Sequence, residues 1–328
     1  MSKYKNTSTI IFNTIHNVIN GVADLGEMLP QLELILARVV VAIGDTTKRK
    51  RNIIIMGTGK SGDVGRKFAS TLSSYGTPAF FICPHDAMHG TLGAVSEDDL
   101  VIVISKSGVS DVLYAALRTV TNRGVQSVLI TATDTTPLKS MITHLIVLPD
   151  VKELCTLNLA PTMSTILTMI VCDALAVAVG EACGITEAKF LDNHPSGELA
   201  ATLSSPIGPL LNKTKVPIVK DSDPIRSMLQ VITKRGLGLC LILLKNGRVG
   251  LITDGDVRRM MASIPNLDLD VAIAQAIESN NLEGHISFNF YTAKPETLVA
   301  QANDILHSNN ISSLLVNINP HEYYVYTK

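Results

Sequence analysis

The sequence predicts an α/β/α sandwich on a parallel five-stranded sheet, followed by a smaller domain built from a degenerate repeat. Three observations point there. Five short apolar runs alternate with stretches of helix length. Those runs are β-branched and apolar on both faces, the pattern of strands covered by helices on each side. The texture then changes near residue 200, and the remainder contains two similar half-units, with Leu237 and Ile311 in matching places about 74 residues apart.

Taken in order, residues 8–45 are helical, with apolar positions three and four apart in MLPQLELILARVVVAIG. The basic run TTKRKRN, Thr46–Asn52, closes this region as a solvated turn. Strands are expected at NIIIMG (52–57), PAFFIC (78–83), LVIVIS (100–105), SVLITA (127–132) and HLIVLP (144–149). Helices are expected over 62–75, 110–123 and 162–183. A doubly wound sheet of this kind binds ligands at the carboxyl ends of its strands, beside helix N-termini. The stretch Ala160–Gly184 has the length and apolarity of a membrane span, but Asp173 lies in its middle, where a carboxylate is expensive in lipid. It reads as a helix buried between layers or subunits.

The segment LAATLSSPIGPLLNKTK (199–215) is rich in Ser, Pro and small residues and reads as a linker. Residues 216–261 then read strand, helix, strand, strand, helix, and residues 286–328 repeat the first four of these elements. A half-unit unable to close its own core is expected to pair with its copy.

Composition excludes several classes of function. Charged residues make up 17% of the 328 and the net charge is −1, so no basic surface is available to neutralise nucleic-acid phosphates. Tryptophan is absent and aromatics are 4%, which disfavours base stacking. The five cysteines form no C-x-x-C pair and read as reduced, buried thiols of a cytoplasmic protein. The N-terminus lacks the order of a signal peptide.

Chemistry concentrates at two turns. GTGKSG (57–62) satisfies G-x-G-x-x-G, yet the P-loop form fails because Ile54 stands where its first glycine belongs. A dinucleotide site wants an acid closing the second strand, and that strand ends FFICPHD, with proline and histidine before Asp86. After the third strand, ISKSGVSD places Ser105, Ser107 and Ser110 in a turn that opens a helix. Hydroxyls and backbone N–H groups at a helix N-terminus bind an anion without net positive charge. Two such turns on one sheet suit a monophosphate, with Lys60 and Ser61 projecting from the first.

These stretches also carry a resemblance. The run from Gly57 to Gly108, with KELCTLNLAPTMSTILTMIVCDALAVA, FLDNHPSGELA and GLITDGDVRRM, is similar to the sugar isomerase (SIS) domain family. Within that family it resembles the bacterial D-arabinose 5-phosphate isomerases, which follow the SIS domain with a CBS pair. The resemblance implies an SIS domain over 1–200, a first CBS repeat over 201–268 and a second over 269–328, incomplete at its C-terminus. It implies interconversion of D-ribulose 5-phosphate and D-arabinose 5-phosphate through an enediol, without a cofactor. The partner would be a small-molecule sugar phosphate, with no nucleic acid and no membrane, and the assembly a homotetramer.

By the same resemblance, Ser61, Ser105, Ser107 and Ser110 hold the phosphate, and Thr162 and Ser164 contribute from the same side. Lys60 faces the developing oxyanion or the phosphate, and Glu153 of KELC is the base. His194 of HPSG assists ring opening or oxygen protonation from its own or a neighbouring subunit. His89 of AMHG is a further catalytic candidate and the place for an inhibitory zinc. Thr253, Asp254 and Asp256 would face a nucleotide between the CBS repeats. The chain departs from the family pattern at three positions: Val109 replaces a glutamate, Thr91 an acid, and Lys106 a neutral residue. Valine transfers no protons, so a sugar-phosphate sensor with impaired catalysis is the alternative, and a shifted substrate is a third.

Overall fold

Five strands, the central three buried, organise the first part of the chain. In the computed structural model, which describes residues 2–264, 267–279 and 282–328, the chain divides into two compact units. One runs to Ile185 and includes Asp192–His194; the other comprises Thr186–Leu191 and Pro195–Lys328.

The first unit opens with helix α1 (Ser2–Lys48), a single helix of 47 residues that runs into the segment expected to be a turn. Next come β1 (Ile53–Gly57), α2 (Gly59–Ser74), β2 (Ala79–Ile82), the short α3 (Pro84–Ala87) and β3 (Leu100–Ile104). The unit continues through α4 (Asp111–Asn122), β4 (Gln126–Thr131), β5 (His144–Val147) and α5 (Met163–Ala182). The strands form one sheet in the order β2-β1-β3-β4-β5, every pair parallel.

Strand residues alternate between two cores, as the period of two requires. Ile53, Ile55, Ile102, Ile104, Val128 and Ile130 pack with α1, α2 and α5 on one face. Ile54, Met56, Val101, Val103 and Leu129 pack with α4 on the other, against Leu113, Leu117 and Val120. Helix α5 is long and apolar enough to cross a membrane, but 44% of its apolar window is buried inside the protein. It packs Val171, Cys172, Leu175 and Val179 into the first core, and Asp173 is ion-paired with Lys67 of α2.

The second unit takes in most of α6 (Glu187–Asn193) and all of α7 (Glu198–Leu203). A first half follows, with β6 (Ile218–Lys220), α8 (Ile225–Arg235), β7 (Leu239–Leu243), β8 (Val249–Thr253) and α9 (Asp254–Ser263). After α10 (Ile273–Glu278) the second half has β9 (Thr292–Ala293), α11 (Val299–Ser308), β10 (Leu314–Asn319) and β11 (Glu322–Tyr326). Each half makes a three-stranded sheet, β6-β7-β8 and β9-β10-β11, in which the first pair is parallel and the second antiparallel. The internal repeat is therefore one of topology.

The expected linker is not one. Its Ile207 is fully buried and Leu203 joins the same core as Val299, Leu314 and Val316. Its backbone is tied down by Ile207 N–H to the Thr297 carbonyl and by Val299 N–H to that of Ser205, both at 2.9 Å. Serine and proline here satisfy the edge of a core rather than span a gap. The five cysteines are unpaired thiols, but only Cys172 and Cys240 are buried; Cys83, Cys155 and Cys183 are half-buried.

Candidate active site

The first turn is shaped by close packing. Strand β1 ends at Gly57, and α2 begins two residues later so near it that a Cβ on Gly62 would lie 2.7 Å from the Gly57 carbonyl oxygen. Glycine at 62 therefore lets the helix start against the strand end. The first N–H groups of a helix have no partners within it, and α2 aims its own past Lys60 and Ser61. Lys60 is exposed, with Asp63 of its own helix 3.2 Å from its Nζ.

The second turn, between β3 and α4, is pinned from the β4 side. The carbonyl of Lys106 accepts from Ala132 N–H and Thr131 Oγ1, both at 2.9 Å. The Gly108 carbonyl accepts from Thr136 Oγ1 at 2.6 Å. Ser110 caps α4, its Oγ accepting from Leu113 N–H, and Ser107 Oγ accepts from Val109 N–H at 3.3 Å.

A third segment, between β5 and α5, delivers Glu153. Its side chain is 3% exposed, and it is surrounded by donors. Oε1 accepts from Lys106 Nζ at 2.7 Å and Ser164 Oγ at 2.5 Å. Oε2 accepts from Thr162 N–H at 2.8 Å, Thr162 Oγ1 at 3.2 Å and Ser164 N–H at 3.3 Å. Burial pushes this carboxyl up, but the hydrogen bonds from Lys106, Ser164 and Thr162 outweigh it and hold it at about 2. The carboxylate also sits at the N-terminus of α5, where the helix dipole favours an anion.

These segments enclose a cavity of about 250 Å³, lined by Lys60, Ser61, Lys106, Ser164, Thr165 and Thr168 among others. The lining includes two lysines and no carboxylate; Glu153 stands behind it, touching both Lys106 and Ser164.

Of the expected residues, Lys60, Ser61 and Ser164 meet here. Thr162 is turned to Glu153. Ser105, Ser107 and Ser110 belong to the adjoining turn but do not line the cavity. For Glu153, expected as the base, five donors approach its oxygens and hold its carboxyl below the near-neutral range that favours a general base. His89 is exposed beyond α3 and outside the cavity, and among the described residues no cluster of three His, Cys, Asp or Glu forms around it or elsewhere to hold a metal.

His194 is also separate in its own chain. Its neighbour Asn193 donates from Nδ2 to the Ser74 carbonyl at the C-terminus of α2, whereas Lys60 opens that helix. At 1.5 Å per residue the two ends are roughly 20 Å apart. The residue that sequence reasoning undervalued is Lys106. It is conspicuous as a departure from the family pattern, but nothing in the sequence shows that its partner lies 47 residues away.

In the second unit, a cavity of about 660 Å³ is lined from both halves, by Thr253, Arg259, Asn289, Tyr291, Ser312 and Ser313 among others. Of the three residues expected at a nucleotide, Thr253 alone lines it. Asp256 is spent in a capping box with Thr253 and an ion pair with Arg259, and Asp254 lies outside.

A parallel α/β/α sandwich with a lysine- and hydroxyl-lined cavity over its strand–helix turns is the architecture of a sugar isomerase domain, and residues 47–178 match the SIS domain family. More narrowly, the chain belongs to the family of the arabinose 5-phosphate isomerases. It is 36% identical to arabinose 5-phosphate isomerase KdsD of Francisella tularensis over 237 residues, 72% of each chain. It is 33% identical to KdsD of Pseudomonas aeruginosa over 269 residues, and 35% identical to KdsD of Escherichia coli K12 over 271, covering 81% of this chain and 79% of either relative. Among solved structures, a protein of E. coli CFT073 in complex with arabinose 5-phosphate superposes with a TM-score of 0.54 at 30% identity, over 58% of this chain and 98% of that one. A protein from Listeria monocytogenes superposes with 0.52 at 26% identity, over 57% and 97%.

Proposed function

We propose that this protein interconverts D-ribulose 5-phosphate and D-arabinose 5-phosphate through an enediol, without a redox cofactor. The observation that carries this reading is the cavity where Lys60, Ser61 and Ser164 converge, in a chain 33–36% identical to arabinose 5-phosphate isomerases over most of its length. Ser61 and the open N-terminus of α2 receive the phosphate, with the Ser105–Ser110 turn beside them. Lys60 supplies the long-range positive charge. Proton transfer falls to His194 of a neighbouring subunit, because in its own chain that residue sits at the wrong end of α2. The pathway served is that to the eight-carbon acid sugar of bacterial surface polysaccharide, and the compartment is the cytoplasm.

The assembly is a homotetramer. An almost wholly apolar groove of about 710 Å³ between α1 and α5, lined by Leu25, Leu29, Leu36, Val40 and Ile170 among others, supports this reading. Exposed Ile11, Phe12, Ile15 and Ile19 on α1 extend it, since apolar patches of that extent mark association surfaces. The second unit is a shortened CBS pair, 201–268 and 269–328, with Thr253 at the edge of its cavity.

The test is incubation of the purified protein with D-ribulose 5-phosphate in ²H₂O, followed by NMR. The expected product is D-arabinose 5-phosphate carrying deuterium at C2. A second reading, a sugar-phosphate sensor, is favoured by Val109, an exposed apolar side chain where the resemblance implies a glutamate. Calorimetric binding of the sugar phosphate with no turnover would select the sensor, and absence of both would overturn the two readings together.

A further inference from the structure

Two lysines line one cavity, and they are held in different ways. Among the described residues Lys60 is tethered only to Asp63 on its own helix, and both side chains are about two-thirds exposed, at 64% and 63%. It is a movable charge, able to swing to any anion that enters. Lys106 is fixed at both ends. Its backbone carbonyl takes two hydrogen bonds from β4 and the residue after it. Its ammonium sits 2.7 Å from the buried Glu153 carboxylate and 3.5 Å from the Val151 carbonyl, and its side chain keeps 38% exposure toward the cavity it lines. An ammonium has three N–H groups, so one is left to meet a ligand.

The difference decides which part of a substrate each cation suits. Lys106 and Glu153 form a charge-compensated ion pair, with Nζ 2.7 Å from Oε1. It therefore offers a directed donor with little net pull on a phosphate dianion. Rigid, charge-compensated donors suit an oxygen that gains its charge only during reaction, because no reorganisation is needed at that moment. Glu153 is likewise kept from acting as a base by the lysine it holds.

We infer that Lys106 is a catalytic residue of the isomerisation, its ammonium positioned by Glu153 to hydrogen-bond the C2 oxygen of the sugar as that oxygen becomes an enediolate. This rests on the isomerase reading above. In the step, a base takes a proton from C1 of the ketose. The C–H electron pair becomes the C1=C2 bond, and the carbonyl pair moves onto the C2 oxygen, where Lys106 meets it. The proton on the C1 oxygen passes to the C2 oxygen. The C1 oxygen then re-forms a carbonyl as C2 accepts a proton, giving the aldose. Lys106 keeps its own proton throughout, and Glu153 is a positioning residue.

The experiment compares Lys106→Met and Lys106→Gln with the wild-type protein. The second variant keeps a hydrogen-bond donor for Glu153, so a folding defect in one leaves the other to decide; protection of the buried Cys172 thiol from labelling reports folding in both. Three quantities are measured: kcat, affinity for D-arabinitol 5-phosphate, and affinity for the four-carbon hydroxamate phosphate that copies the enediolate. Arabinitol phosphate has the phosphate and chain but no carbonyl. The expected result is a fall of about 100- to 1,000-fold in kcat and a comparable loss of hydroxamate affinity, while arabinitol phosphate binds within roughly threefold of wild type.

Equal losses for the two ligands would make Lys106 a phosphate ligand and overturn the inference, as would a kcat within tenfold of wild type in a folded variant. Either result, with an active wild-type protein, leaves the isomerase reading standing. A wild-type protein that turns over no ribulose 5-phosphate sinks that reading, and the role of Lys106 with it.

Discussion

Replacing Glu153 by Gln tests the anchoring role of that carboxylate through stability alone, without any substrate. Glutamine copies the shape of a protonated glutamate, so the loss at pH 7 should approximate the free energy of forcing a proton onto Glu153 in the folded state. Its carboxyl lies at about 2 instead of its ordinary 4.5. At 1.36 kcal/mol per pH unit that gap is roughly 3 kcal/mol. The sign is that of a depressed acid: the stabilisation is complete above the unfolded value near 4.5 and is lost as pH falls through about 2. The difference between the two proteins should therefore be full at pH 7 and shrink to less than half by about pH 3.

Two buried thiols make this measurable unit by unit. Cys172 lies in the first unit and Cys240 in the second, both with no solvent exposure. Pulsed thiol labelling along a urea series, read by mass spectrometry, reports the unfolding of each. Glu153→Gln should lower the urea midpoint for Cys172 and leave that for Cys240 in place. A loss below about 1 kcal/mol at pH 7, or one undiminished toward pH 3, would show that the donors around Glu153 contribute little and would refute the anchoring argument.

Three other substitutions probe separate parts of the molecule. Gly108 has φ +61°, and an added Cβ would fall 2.6 Å from Thr136 Oγ1. Gly108→Ala should therefore exceed the ~1–3 kcal/mol of backbone strain alone, seen as early labelling of Cys172 and weakened sugar-phosphate binding. Thr253 caps α9, its Oγ1 donating to Asp256 Oδ2 at 2.6 Å and accepting from Asp256 N–H. Thr253→Ala should cost about 1 kcal/mol, confined to the midpoint of Cys240. Val109 is exposed just ahead of the α4 cap, where a carboxylate meets a favourable helix dipole. Val109→Glu should leave stability unchanged or slightly improved and raise kcat about tenfold or more with KM steady; a lower kcat would show that the site works without an acid there.

What the sequence made legible follows from the range of the interactions involved. The five strands could be read because each is a local apolar run, with the central three buried on both faces, and alternate residues do enter two different cores, Ile53 and Ile55 on one side, Ile54 and Met56 on the other. The repeated half-units could be read because identical topology imposes the same succession of apolar runs. The segment 199–215 misled because Ser, Pro and Gly report local turn chemistry and say nothing of Ile207 being drawn into a core by Val299 and Leu314, 92 and 107 residues on. The end of α1 misled in the same way: Thr46 and Thr47 return their hydroxyls to the carbonyls four residues back, so the helix runs on through residues that look like a turn.

The active site shows the same limit in its chemistry. A family pattern transfers residue types, and it placed Lys60, Ser61 and Ser164 on one cavity. It does not transfer the electrostatic state of a residue, which is set by whatever surrounds it. Glu153 stands where the resemblance implies a base, yet a lysine at 106 and the hydroxyls and N–H groups of Thr162 and Ser164 hold its carboxyl low, at about 2. Once that carboxylate is fixed, Lys106 is more than an incidental surface charge, because removing it would take a paired cation from a buried carboxylate. The state of Glu153 and the presence of Lys106 are therefore to be read together, as one ion pair rather than as two separate residues.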